Sequence, residues 1–268
     1  MLGFTTYFTI PINRDKIRSY CAGRAMNREI IVGILTGRDD LLGHDDLPDR
    51  CDHKDRSDPN QQFDGRTLCS LCRNINRDLP ILVAKVRGAR ATIDVGLSVT
   101  TEEGLSPYEP YRRAGFRLFK PSGTTEIDRI TESFQEAFAR GYESVVLLFH
   151  GVPNLPLSYI EQALVFLREE GEVVLGPLKN GGFYLIGCTQ KTFNSECFSE
   201  LLPNLSFCNK GRKKEALKKI DALGIHLSLL PEWYQVKTPS DLKRLCEERG
   251  NGIVWNGRWT QHTSDDLI

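Results

Sequence analysis

The sequence predicts an α/β protein built around a mostly parallel sheet, and residues 141–187 carry the clearest pattern. Ser144–Phe149 (SVVLLF) is a continuous apolar run rich in β-branched residues, which is typical of a strand buried on both faces of a parallel sheet. A helix is predicted over Tyr159–Glu170, where apolar residues share one face. Strands over 172–175 and 183–187 follow, so strands and helix alternate as an α/β fold requires.

The turn after the first of these strands is a candidate ligand-binding position. Ligands of open α/β sheets bind outside the carboxyl ends of the strands, and here that end is followed by His150, Gly151, Pro153 and Asn154. A histidine side chain titrates near neutral pH, so His150 could supply positive charge to a ligand. The alternative is a histidine that is hydrogen-bonded within the turn.

A second candidate position is the turn that holds Asn180, Gly181 and Gly182 between two predicted strands. Paired glycines permit a positive φ or a close approach of a ligand to the backbone. A tight turn without ligand contacts explains the same residues.

Three stretches of the chain carry a family resemblance. They read AFARGYESVVLLFHGVPNLP, GPLKNGGFYLIG and LPEWYQVKTPSDL, and they fall within 137–187 and 229–245. They are similar to the motifs AFxxGYxxVVLxGxDxPxLP, GPxxDGGYYLIG and LPxWxDVDTPEDL of the glycosyltransferase-like family of radical-SAM/selenodomain-associated transferases. That family lies in the nucleotide-diphospho-sugar transferase (GT-A) superfamily. The resemblance implies a GT-A-like three-layer α/β/α sandwich with a mostly parallel central sheet, and a nucleotide or nucleotide sugar as the ligand.

The chain departs from these motifs at their acidic positions. Gly151 stands where the family has an aspartate after its first strand, Asn154 stands at the later aspartate of that segment, and Asn180 precedes the paired glycines. Gln235 and Lys237 replace the two aspartates of the DVD motif. The superfamily's carboxylates are expected to hold Mg²⁺ or Mn²⁺ against a diphosphate, because these cations prefer hard, anionic oxygen ligands.

Two classes of function are compatible with this pattern, and no catalytic residue can be named. The joint loss of the carboxylates favours a transferase-like protein with altered or lost metal-dependent catalysis, which binds a nucleotide, a metabolite or a protein partner. The alternative is an active transferase of a glycosyl or nucleotidyl group with a rewired site. In that case Lys237 and His150 would neutralise the diphosphate directly, as cationic clamps do in phosphoryl transfer.

A further candidate loop follows the predicted first strand, Glu29–Leu35. Gly37 and Arg38 echo the loop with which the family is expected to cradle its nucleotide, and backbone amides with an arginine can meet a phosphate. A surface turn is the alternative.

The remaining elements follow from the same apolar patterns. Strands are predicted over Ile81–Val86, Ala91–Thr100, Phe116–Lys120 and Ile225–Leu230, and helices over Glu126–Arg140, over Lys213–Leu223 and from Thr238 onward. We expect an N-terminal extension over 1–25, a GT-A-like domain over 26–250 with a polar insertion at about 37–78, and a C-terminal tail over 251–268.

The insertion contains four residues that could bind zinc. Cys51, His53, Cys69 and Cys72 have the form CxH followed by CxxC, which supplies four ligands suited to tetrahedral zinc. The CxH spacing is less usual than CxxC, and a solvated loop without metal is the alternative.

Composition favours a globular protein. The chain has 268 residues, 40% hydrophobic and 26% charged, with a formal net charge of zero, so no nucleic-acid partner is expected. No apolar run approaches the roughly 20 residues of a membrane span, and the first residues lack the features of a signal peptide. We therefore expect no membrane association and a cytoplasmic location.

Overall fold

The computed structural model describes somewhat more than half of the chain. The described residues are 28–35, 78–88, 92–99, 105, 108–169, 173–179, 181–194, 196–204, 212–236, 241, 244–245 and 247–248. The predicted extension, the tail and nearly all of the insertion lie outside these ranges. Within them, no helix combines the length and apolar composition needed to cross a bilayer.

The described strands form one seven-stranded sheet in the order β3-β2-β1-β4-β6-β5-β7. The strands are β1 Glu29–Leu35, β2 Ile93–Val99, β3 Arg117–Phe119, β4 Ser144–Phe149, β5 Val173–Pro177, β6 Phe183–Thr189 and β7 Leu227–Leu229. Only β6 runs antiparallel to its neighbours, β4 and β5, and the other adjacent pairs are parallel. The predicted mostly parallel sheet is confirmed.

The described helices follow the strands in chain order. They are α1 over 78–88, α2 Glu109–Arg113, α3 Glu126–Ala139, α4 Leu157–Glu169, α5 Gln190–Phe193, α6 Glu196–Leu201 and α7 Arg212–Ala222. The start of α3 is fixed by a capping box. The Asp128 N–H donates to Thr125 Oγ1 at 3.1 Å, and the Thr125 N–H donates to the Asp128 carboxylate at 3.1 Å, so two amide donors at the helix start are satisfied.

Helices cover both faces of the sheet. α1 and α4 pack against one face, and α3, α6 and α7 pack against the other. β1 shows why this needs an apolar strand throughout: Ile31 and Leu35 enter the first core, whereas Ile30, Val32 and Ile34 enter the second. The predicted three-layer α/β/α sandwich is confirmed.

One predicted strand, Ile81–Val86, is wrong: these residues belong to helix α1. Leu79, Leu82, Val83 and Val86 are buried, whereas Lys85 is exposed. This is the i, i+3, i+4, i+7 spacing of a helix with one buried face. The six-residue apolar run is too short to reveal that period, and the buried positions are recognised only when Leu79 is included.

The other predicted elements that lie in the described residues are confirmed, with shifts at their ends. Helix α4 begins at Leu157 rather than at Tyr159, β5 extends to Pro177, and β6 extends to Thr189. Residues 241, 244–245 and 247–248, from the predicted final helix, are helical. The short helices α2, α5 and α6 were not predicted.

An ion pair between a buried carboxylate and a partly exposed arginine joins the first strand to the end of α4. Glu29 is only 2% exposed, and its carboxylate accepts from Arg168 Nε at 2.5 Å and from Arg168 Nη2. This two-bond geometry satisfies a carboxylate that would otherwise be buried without compensation.

We expect Arg168→Met to lower the free energy of unfolding by about 3 kcal/mol, because it leaves the Glu29 carboxylate buried without its cation. Urea denaturation followed by circular dichroism measures this change. The Glu29→Met/Arg168→Met double variant is the control and should lose less stability than the single variant, since it removes both charges. A double variant that is less stable than Arg168→Met would contradict this account.

Candidate functional site

The candidate site lies at the edge of the sheet that is formed by the carboxyl ends of β1, β2 and β4. Because β6 runs antiparallel to β4, with Leu148 opposite Leu185, the turn before β6 lies at this same edge. Six of the predicted residues are described and are found there: His150, Gly151, Pro153, Asn154, Gly181 and Gly182. Gly37, Arg38, Asn180, Lys237 and the four predicted zinc ligands, Cys51, His53, Cys69 and Cys72, lie outside the described residues, and their roles stay predictions.

Gly151 and Gln235 are in direct contact. Gly151 has φ +87°, a left-handed conformation that favours glycine. A Cβ atom at this position would lie 2.6 Å from Gln235 Cγ and 2.7 Å from Gln235 Nε2. The side chain of Gln235 therefore fills the volume that any side chain at position 151 would need.

Hydrogen bonds hold the segment 233–236 against the turn after β4. The Val236 N–H donates to the Gly151 carbonyl at 2.8 Å, and Gln235 Nε2 donates to the His150 carbonyl at 3.2 Å. On the other side, the Trp233 N–H donates to the Pro177 carbonyl at 3.0 Å. The segment thus lies between the ends of β4 and β5 and joins them.

The amide of Gln235 is only half satisfied. The residue is 6% exposed, and its Oε1 atom is buried and accepts no hydrogen bond within the described part of the chain. A buried acceptor without a partner costs about 1–3 kcal/mol. The sequence carries no signal for this feature, because Gln235 is conspicuous only as a replaced aspartate.

Asn154 connects the turn to the C-terminal part of the chain. Its Nδ2 donates to Tyr234 Oη at 2.6 Å and to Glu248 Oε2 at 2.5 Å, while Trp233 Nε1 donates to its Oδ1 at 3.1 Å. The Tyr234 hydroxyl donates to the Glu248 carboxylate, and the Arg244 guanidinium lies 3.9 Å from the centre of the Tyr234 ring. These bonds use both Nδ2 protons and one of the two lone pairs of Oδ1, so a ligand acceptor would have to displace one of them, and the role of Asn154 as a ligand contact stays a prediction.

Burial and the neighbouring Glu248 carboxylate both raise the pKa of the Tyr234 phenol far above its usual range. Burial likewise raises the pKa of the Tyr184 phenol far above its usual range. Tyr184 donates its hydroxyl proton to the Pro231 carbonyl at 3.0 Å. Both phenols are therefore neutral hydrogen-bond donors at physiological pH.

The second predicted turn is tightly hydrogen-bonded. The Leu178 N–H donates to the Gly182 carbonyl at 2.9 Å, and the Gly181 N–H donates to the Leu178 carbonyl at 3.2 Å. Gly181 and Gly182 both have positive φ, +83° and +110°. The conformation of the turn alone accounts for the paired glycines.

Aromatic rings flank this edge of the sheet. Tyr159 and Trp233 pack edge to face with ring centroids 5.6 Å apart, and Trp233 stacks on Tyr234 at the same separation. Tyr159 and Trp233 are half-buried, so part of their ring surface reaches solvent beside the turn.

A small, partly open cleft lies between helix α1 and the turn after β4. Its lining residues are Asp78, Leu79, Leu82, His150, Gly151, Val152 and Pro153. Helix α1 therefore lies beside the candidate ligand-binding residues. The sequence did not predict this position, because residues 81–86 were predicted to form a strand.

The described donors do not fit Mg²⁺ or Mn²⁺. No group of three or more His, Cys, Asp or Glu side chains in the described ranges could hold a metal ion. Gly151 offers no side-chain ligand, and Gln235 offers one neutral oxygen. These cations favour anionic oxygen ligands, and among the described residues that line the cleft only Asp78 carries a carboxylate.

Comparison with known proteins supports the fold. The model of the family DUF2064, described as an uncharacterized protein conserved in bacteria, matches residues 84–202. None of the curated proteins matches the chain.

Two solved structures share the architecture. A protein from Desulfovibrio desulfuricans G20, provisionally assigned as a nucleotide-diphospho-sugar transferase, has 19% sequence identity and a TM-score of 0.60, with 84% of this chain and 89% of that chain covered. The 4-diphosphocytidyl-2C-methyl-D-erythritol synthase from Anaerococcus prevotii DSM 20548 has 10% identity and a TM-score of 0.50, with 85% and 100% covered. The chain thus has a GT-A-like fold, that of the nucleotide-diphospho-sugar transferases.

We expect Gly151→Ala to destabilise the protein by more than the roughly 1–3 kcal/mol of a strained positive φ, because the new methyl group overlaps Gln235. Gly224→Ala is the matched control, since Gly224 also has a positive φ, +65°, but a Cβ there meets nothing within 4 Å. Urea denaturation of both variants gives the two costs.

The Gly151→Ala/Gln235→Ala double variant tests the overlap directly. Relative to Gln235→Ala, it should cost about as much as Gly224→Ala, because only the backbone strain remains. Equal costs of Gly151→Ala in the presence and absence of the Gln235 side chain would show that the two positions do not compete for space.

We expect the free energy of unfolding to fall as the pH rises above about 10. The pKa values of Tyr142, Tyr184 and Tyr234 are raised in the folded state, so these phenols contribute stability that is complete below the unfolded pKa and is lost as alkali deprotonates the unfolded chain. Urea denaturation across this range should show a shallower fall for Tyr184→Phe/Tyr234→Phe than for the wild type. If the double variant lost stability with pH as steeply as the wild type, the raised pKa values of Tyr184 and Tyr234 would not be the cause of the fall.

Proposed function

We propose that this chain is a nucleotide-diphospho-sugar transferase-like protein that binds a nucleotide or nucleotide sugar without a divalent cation, and that its metal-dependent catalysis is altered or lost. The observation that carries the proposal is the contact between Gly151 and Gln235. The family that the chain resembles has an aspartate at each of these positions.

The contact gives a common physical reason for the glycine at position 151 and the glutamine at position 235, where the family that the chain resembles has aspartates. Positions 151 and 235 adjoin in the fold, so two carboxylates there would lie close enough to share a cation. In this chain one position has no side chain, and the other holds an amide that donates to the His150 carbonyl. Neither position supplies a carboxylate to a cation, and the Gln235 side chain occupies part of the space that a metal site between them would use.

The radical-SAM/selenodomain-associated transferases remain our proposal for the finer family, with this chain as a divergent member. The three motif stretches support it, and the DUF2064 match overlaps two of them. We keep the cytoplasmic location as part of the same proposal.

Ligand binding would draw on the cleft and the half-buried rings. The cleft beside His150 and Gly151 has room for a group about the size of a water molecule, and the exposed parts of the half-buried Tyr159 and Trp233 rings would contact a sugar or a base. The name of the Anaerococcus prevotii neighbour contains a diphosphocytidyl group, so cytidine nucleotides belong in the first set of ligands.

The test is thermal stability of the full chain with CDP, UDP, ADP, GDP, UDP-glucose and GDP-mannose, each with EDTA, Mg²⁺ or Mn²⁺. A ligand at about 100 times its dissociation constant stabilises the folded state by about 2.7 kcal/mol. We expect stabilisation by at least one ligand, equal in EDTA and in metal, and no release of nucleotide from the sugar donors in the same samples.

Two outcomes would overturn the proposal. No stabilisation by any ligand would favour a module that binds a different metabolite or a protein partner. Stabilisation that requires Mg²⁺ or Mn²⁺, together with nucleotide release, would favour an active transferase with a rewired site.

A further inference from the structure

The Gln235 amide is held in one orientation. Its backbone neighbour Val236 donates to the Gly151 carbonyl, and its own Nε2 donates to the His150 carbonyl. A carbonyl oxygen can only accept a hydrogen bond, so rotating the amide by half a turn would place two acceptors against each other. The orientation that keeps the Nε2 bond fixes the position of Oε1.

The fixed Oε1 atom is a preorganised acceptor without a donor. It is buried and unbonded within the described residues, and Gln235 as a whole is more than nine-tenths buried. Gly151, against which the side chain packs, also lines the cleft between α1 and the turn after β4. A ligand that donates a hydrogen bond to Oε1 would satisfy this buried acceptor and would explain why it has no partner in the described protein.

The chemistry of Oε1 restricts what that ligand group can be. An amide oxygen accepts from hydroxyl or amino groups, and it repels phosphate oxygens, which are acceptors at neutral pH. A diphosphate held directly at this position is therefore disfavoured, whereas a sugar hydroxyl, a ribose hydroxyl or a base amino group is suited to it.

We propose that Gln235 Oε1 accepts a hydrogen bond from a hydroxyl or amino group of the bound ligand. The family that the chain resembles has an aspartate at this position, a residue type that binds metal ions. In this chain, the neutral Gln235 would instead select a ligand group that donates a hydrogen bond. This inference rests on the proposed function, because it assigns a residue contact to the same nucleotide or nucleotide-sugar site.

The test is isothermal titration in EDTA with whichever of the six ligands above stabilises the wild type. Gln235→Met keeps an unbranched side chain that can pack on Gly151 but has only a weak thioether acceptor. We expect it to bind that ligand about tenfold more weakly, the effect of one lost hydrogen bond.

Analogues of the ligand identify the donor group and control for indirect effects. The 2′-deoxy and 3′-deoxy nucleotides remove ribose hydroxyls, and the nucleoside diphosphate without its sugar removes sugar hydroxyls. Uridine in place of cytidine, or inosine in place of adenosine or guanosine, removes a base amino group. One of these analogues should bind the wild type about tenfold more weakly than the parent ligand binds it. The same analogue and the parent ligand should bind Gln235→Met equally well.

The outcomes separate this inference from the proposed function. If the wild type binds none of the six ligands, the proposed function fails and the inference fails with it. If the wild type binds but Gln235→Met binds equally well, or if the wild type binds every analogue as well as the parent, the inference is overturned while the proposed function stands. If Gln235→Met does not fold, the analogue series on the wild type still overturns the inference when every analogue binds as well as the parent.

Discussion

The attachment of segment 233–236 to the turn after β4 is the constraint on which the rest of the site depends. One backbone hydrogen bond, from Val236 to Gly151, and one side-chain bond, from Gln235 to the His150 carbonyl, hold it there. Because the same segment also bonds to Pro177 at the end of β5, it fixes the distance between two strands that are separated in the sheet by β6.

The polar groups around this attachment are mostly committed to one another. Asn154, Tyr234 and Glu248 form a chain of hydrogen bonds in which each proton has an acceptor, and the raised pKa of Tyr234 keeps its proton in place. Buried networks of this kind are rigid when they are complete. The Gln235 Oε1 atom differs from this network, because it is buried and accepts no hydrogen bond from the part of the chain that the structure describes.

The amino-acid pattern predicts most of the sheet but only the location of the site. Strands such as Glu29–Leu35 are apolar on both faces, so their burial is readable from the sequence, and β1 has the predicted bounds. Residues 78–88 mislead because a short amphipathic helix contains an apolar run that resembles a strand. The contact between Gly151 and Gln235 joins residues that are 84 positions apart in the chain, and no local pattern encodes it. The motif resemblance identifies both positions as altered but does not show that they touch.

The two outer strands of the sheet have a consequence for how copies of this protein meet one another. β3 and β7 lie at the edges of the described sheet, and each is three residues long. An edge strand exposes unpaired backbone groups that can recruit a strand from another molecule, and a short edge offers few of them. The long apolar strands β1, β4 and β6 lie inside the sheet, where both edges of each strand are paired. The order of the strands therefore protects the most aggregation-prone segments of the chain by placing them where no other copy can reach.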